Sequence, residues 1–89
     1  MTEAEIEIMR KRLLWRATHR GIKEMDILVG GFAITHLPTM TAADLRQFEV
    51  LLELPDQDLL SWATAIEPVP PQLRCQLLDD ILQYRPEAP

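Results

Sequence analysis

Thr41-Ala-Ala-Asp-Leu-Arg-Gln-Phe-Glu-Val-Leu-Leu-Glu-Leu-Pro-Asp-Gln-Asp-Leu-Leu-Ser-Trp-Ala-Thr-Ala-Ile66 carries two helical signals back to back. Leu45, Phe48, Leu51 and Leu52 recur at three- and four-residue intervals behind Thr41, a residue well suited to cap a helix start. Pro55 suits the first turn of a following helix, where its missing N–H would have no partner in any case. That helix would present Leu59, Trp62, Ala63 and Ile66. No apolar and polar alternation of strand length interrupts the stretch, so it points to helices packed on helices.

Working outward toward the N-terminus, Thr2 followed by Glu5 has the spacing of a capping box, in which each side chain reaches a backbone N–H of the other residue. Ile6, Met9, Leu13 and Ala17 then form one stripe, with Arg10, Lys11, Arg12 and Arg16 largely off it. Gly21 predicts the stop, since glycine enters the left-handed C′ conformation without a Cβ clash. Ile22, Met25, Val29, Phe32 and Ala33 form the second stripe. Gly30-Gly31 in its middle lowers helix propensity by about 1 kcal/mol per glycine and permits close packing or a bend. Pro38 lies just beyond it.

Toward the C-terminus, Pro68-Val69-Pro70-Pro71 cannot continue a helix and reads as an extended link. Leu73, Leu77, Ile81 and Tyr84 resume the helical period, and residues 86–89 read as a frayed tail. The expectation is all-α: one domain over residues 1–89, a compact bundle of five short helices, with Trp15, Phe32, Phe48 and Trp62 in the core.

An 89-residue chain buries only about 60–65% of its unfolded surface, so the core will be thin. One cysteine, Cys75, allows no intrachain disulfide and fits a reducing compartment. The opening is acidic where a targeting peptide would be basic, and no apolar run approaches membrane-spanning length. A cytoplasmic protein without membrane insertion is expected. Net charge is −5, unevenly placed: residues 1–26 hold six of the nine basic groups against five acids, and residues 27–89 hold three against nine. So acidic a chain repels a nucleic-acid backbone, and no nucleic-acid partner is expected.

The chemistry-bearing residues are sparse. His19 stands in a basic last turn and His36 near another helix end, neither inside a motif. Cys75 lies at the margin of an amphipathic stripe and reads as a packing residue beside Arg74. There is no phosphate-cradling glycine loop, dinucleotide fingerprint or paired metal-ligand spacing. No enzyme, no catalytic residue, no metal and no bound cofactor is therefore expected, and binding is the better reading. The most unusual run is Arg20-Gly21-Ile22-Lys23-Glu24-Met25-Asp26, which gathers opposite charges at a helix junction. Helix dipoles explain part of it: Arg20 suits the end of one helix, and Glu24 and Asp26 the start of the next.

The same run, Arg20-Gly21-x-x-Glu24 with Asp26 following, resembles the R-G-x-x-E signature of the succinate dehydrogenase FAD assembly factors of the SdhE type. Arg12 and Trp15 resemble the R-x-x-W that precedes it, and Phe32 the aromatic that follows. Leu51-Leu52-Glu53 with Asp56, Asp58, Leu59 and Trp62 resembles a second block of that family, so the likeness covers residues 10–66. His19 departs from the pattern, standing where a second arginine is common. The resemblance implies a five-helix fold and a protein-binding role. The partner it implies is the flavoprotein subunit of succinate dehydrogenase, and of fumarate reductase, in which a histidine becomes covalently attached to FAD. It also implies that Arg20, Gly21, Glu24, Asp26 and Arg12 contact that partner. Direct FAD binding and the choice between a monomer and a weak dimer stay open, and the alternative is an antitoxin-like regulatory module.

Overall fold

In the computed structural model, which describes residues 1–86, the capping box forms as spelled. Thr2 Oγ1 accepts from the Glu5 N–H at 3.2 Å, and the Glu5 carboxylate accepts from the Thr2 N–H at 3.0 Å. This starts α1, Glu3–Thr18. α2 runs from Lys23 to His36 and passes through a 3-10 turn, Leu37–Thr39, before a second capping box, Thr41 with Asp44, opens α3 over Ala42–Leu52. α4 covers Asp56–Ala63, a 3-10 turn covers Pro71–Leu73, and α5 covers Gln76–Gln83. Among the described residues there is no strand.

All five helices contribute to one core. Leu13 and Ala17 from α1, Val29 and Ala33 from α2, Leu45 and Phe48 from α3, Leu59 from α4 and Leu78 from α5 are buried together. Phe32 joins the layers, with Phe48 at 6.1 Å between ring centroids and the Tyr84 ring edge-on at 6.2 Å. The glycine pair serves close packing, since α2 continues through it. A Cβ on Gly30 would meet Thr18 Cγ2 at 3.1 Å and the Ala17 carbonyl at 3.2 Å, and one on Gly31 would lie 2.8 Å from the Tyr84 ring.

Several expectations are corrected. Trp15 is 62% exposed, because a residue two places from both Leu13 and Ala17 points to the opposite side of α1. Trp62 is only partly buried, packed against the core from outside. Ile66 is outside α4 and 75% exposed. α4 ends in paired reverse bonds, Ala65 N–H to the Trp62 carbonyl and Ile66 N–H to the Ser61 carbonyl, around Ala65 at φ 59. Leu73 belongs to the 3-10 turn, and the buried residues of α5 are Leu78, Ile81 and Leu82. Pro55 is the N-cap of α4, one residue outside its first turn. Of the link expected over Pro68-Val69-Pro70-Pro71, the first three residues lie outside any helix and Pro71 opens the 3-10 turn. Of the tail expected to fray, residues 87–89 lie outside the described residues.

Candidate partner-binding site

Four residues, His19 to Ile22, turn the chain from α1 into α2. α1 ends at Thr18 with His19 as its C-cap, so Gly21 falls one residue beyond the expected C′ position. Gly21 still supplies the left-handed step, at φ 97. Ile22 is extended and gives α2 no side-chain cap, and its carbonyl accepts from the N–H groups of Met25 and Asp26. The Asp26 carboxylate reaches back across the turn and accepts from the Arg20 N–H at 2.5 Å.

The Arg20 side chain points inward, only 9% exposed, and its role differs from the one its position just past α1 suggests. Its Nε donates to Asp56 Oδ1 at 2.7 Å, its Nη1 to the Leu52 carbonyl at 2.6 Å and its Nη2 to the Leu54 carbonyl at 2.8 Å. The Leu52 carbonyl belongs to the last turn of α3, where intrahelical donors run out, the Leu54 carbonyl to the link that follows, and Asp56 opens α4. Arg20 therefore caps α3 and ties the α3–α4 corner to the α1–α2 turn. A planar fork with donors in several directions can do this, and a point charge cannot.

The five residues expected to contact a partner divide by orientation. Arg20 and Asp26 build the turn from inside. Gly21 is exposed, with nothing within 4 Å of where a Cβ would stand. Glu24 is exposed on the first turn of α2. Arg12 lies roughly two helical turns before Arg20 on α1, 56% exposed and bonded to Glu49 at 2.9 Å. The turn thus brings Arg20, Gly21 and Asp26 together, with Glu24 beside them and Arg12 apart.

The charge asymmetry of the sequence also acquires a cause. Arg12 pairs with Glu49, Arg16 with Glu53 at 2.8 Å and Arg20 with Asp56, so basic groups of α1 and the turn after it face acidic groups of α3, its C-cap and α4. Both series rise together along the chain, which sets α1 and α3 running in the same direction. Near the middle of α1, Arg10 repeats the motif: it donates to the Leu37 carbonyl at 3.0 Å and the Met40 carbonyl at 2.7 Å and pairs with Glu7.

Sequence reasoning missed two features here. Nothing in the spacing joins Arg20 to Asp56, although both fall inside the quoted blocks. Trp15 and His19 stack with ring centroids 4.3 Å apart and planes 11° from parallel, on the rim of an open cleft of about 300 Å³ shared with Glu53 and Pro55. Their four-residue separation on a helix was the available signal. His19 Nδ1 lies 2.8 Å from the Trp15 carbonyl, so its N–H donates there.

The remaining candidates are structural. Cys75 is the N-cap of α5, its sulfur accepting from the Leu78 N–H at 3.4 Å, and it packs partly buried against the core. His36 lies over Phe32, ring centroids 4.4 Å apart. Among the described residues no group of three His, Cys, Asp or Glu is placed to hold a metal ion. No helix there is long and apolar enough to cross a membrane. The described residues form a small helical domain whose inward charges shape one turn and whose Gly21 and Glu24 face outward from it.

Comparison with known proteins gives that class a family. The family described as flavinator of succinate dehydrogenase (Sdh5) matches residues 11–85. An FAD assembly factor SdhE of Acetobacter pasteurianus is 40% identical over 78 residues, covering 88% of this chain and 72% of the relative. The mitochondrial succinate dehydrogenase assembly factor 2 of Dictyostelium discoideum is 36% identical over 75 residues, and that of Yarrowia lipolytica 39% over 67. These alignments cover 84% and 75% of this chain, which spans about half the length of both mitochondrial relatives, 53% and 46%. The chain belongs to the succinate dehydrogenase flavinator family.

Proposed function

We propose that this protein binds the flavoprotein subunit of succinate dehydrogenase, and that of fumarate reductase, and promotes covalent attachment of FAD to it. The observation that carries this reading is the Gly21–Glu24 edge, facing outward from a turn fixed from within by Arg20 and Asp26, in a chain matched by the flavinator family. The flavoprotein supplies the histidine and forms the bond. This chain contributes no catalytic group. It holds the immature subunit so that flavin and histidine meet, which is catalysis by proximity and orientation.

Gly21 lets the partner's surface approach the backbone, and Glu24 offers it a carboxylate. Arg12 is a neighbouring contact that exchanges Glu49 for the partner. Arg20 and Asp26 act on the partner through the shape of the turn.

In-gel flavin fluorescence of the denatured flavoprotein subunit, from cells lacking this protein, tests the proposal. Wild type restores the covalent flavin signal, and Glu24→Ala fails to restore it while keeping the circular dichroism of a folded helical protein. Unchanged covalent FAD in the deletion strain would rule the reading out.

A further inference from the structure

Two open grooves with mainly apolar walls flank the α1–α2 pair, and they differ in charge. One, at the end away from the turn, is lined by Leu14, Ala33, Ile34 and Leu37. On its rim, Glu7 and Arg10 are already paired. The other, of about 310 Å³, lies between the first turns of α2, the end of α4 and the segment after α5. Met25, Leu28, Leu60 and Ala63 wall it, and Ile27, 47% exposed, and Glu24 stand at its mouth. Arg85 on the far side directs Nη1 to the carbonyls of Leu82 and Tyr84. Glu24 makes no ion pair or side-chain hydrogen bond among the described residues.

We propose that this groove seats a segment of the flavoprotein in which an aliphatic or aromatic side chain enters between α2 and α4 while an adjacent Lys or Arg meets Glu24. The proposal rests on the function proposed above and adds the chemistry of the contact. Glu24 is exposed beside apolar walls, so a side chain filling the groove displaces water from it; a cation brought with that side chain gains more than on open surface, and a carboxylate is rejected. The chain's charge of −5 favours encounter with a basic segment, and Glu24 is the one carboxylate among the described residues lining the groove. The groove is continuous with the turn, because Glu24 belongs to both. One segment can therefore read Gly21, Glu24 and the apolar walls together.

The test measures the affinity of the full-length flavoprotein subunit for wild type, Ile27→Asp, Glu24→Gln, the double variant and Ile34→Asp. Ile34 is 62% exposed in the other groove and serves as the control. Ile27→Asp is expected to weaken binding by about tenfold or more without lowering the melting temperature. Glu24→Gln is expected to weaken it by roughly 30-fold and to flatten its salt dependence. The double variant loses less than the product of the two, and Ile34→Asp binds as wild type does.

If wild type binds and Ile27→Asp binds equally well, the groove is not the docking site and the function proposed above survives. If wild type does not bind, both fall. If wild type self-associates in sedimentation and Ile27→Asp abolishes that, a second copy is the occupant and the proposal is overturned.

Discussion

Replacing Arg20 by alanine leaves the Asp56 carboxylate and the carbonyls of Leu52 and Leu54 without their donor in a place that water reaches poorly. A charge stranded in this way costs about 3–5 kcal/mol, a large part of the stability of a domain this small. Arg20→Ala should therefore shift the urea midpoint strongly, and Arg20→Lys should recover only part of the loss, since an ammonium can stay near Asp56 but cannot reach both carbonyls. A change below about 1 kcal/mol in Arg20→Ala would mean that the clamp contributes as little as a surface pair. Arg20 and Asp56 should also be coupled: once one is gone, losing the other costs less. The signature residue with the most obvious charge is thus the one least available to a partner. The sequence showed Arg20 clearly and hid its orientation, because Asp56 lies 36 residues away and no local period relates them.

Helix ends were legible where a side chain caps them and misread where the backbone does the work. Thr2 and Thr41 start helices as expected because their hydroxyls are the caps. The end of α4 depends on Ala65 entering the left-handed region, a step that alanine gives no sign of making. Ala65→Gly should therefore stabilise the protein by roughly 0.5–1 kcal/mol in denaturant titration, with α4 unchanged by NMR. A neutral or negative effect would place the strain elsewhere. α1 has a pH signature of its own. The Glu5 carboxyl is held below its ordinary value by the Thr2 backbone N–H first and by the Thr2 hydroxyl second. A lowered folded value means that the contribution is complete above the unfolded carboxylate range and fades as pH falls through the folded one. The first turn of α1 should fray on acidification, seen as a lower protection factor at the Glu5 amide, and Glu5→Gln should remove that pH dependence.

For the molecule as a whole, the arginines of α1 and of the turn after it meet acidic groups in two settings that salt can tell apart. The Arg12–Glu49 and Arg16–Glu53 pairs are open to solvent, whereas Arg20–Asp56 is largely covered. Arg12→Ala should cost less than about 1 kcal/mol, and that cost should vanish near 1 M salt, while the Arg20→Ala cost persists. Loss of covalent FAD in Arg12→Ala would then reflect the partner surface and not unfolding. The all-helical class and most of the core followed from apolar spacing, which records one face per helix. Trp15 did not follow, because an aromatic residue on the far face of α1 carries the same letter as one in the core. α5 was found by period but begun too early, since Leu73 belongs to a 3-10 turn that Arg74 and Cys75, both extended, separate from the helix. Tyr84, just past α5, lies across Gly31 near the middle of α2. During synthesis the first four helices are made before the piece that covers that glycine, so they emerge with one side of α2 bare. The fold can finish only after α5 and Tyr84 have been made, and until then a chaperone or a neighbouring nascent chain has access to surface that the finished protein conceals.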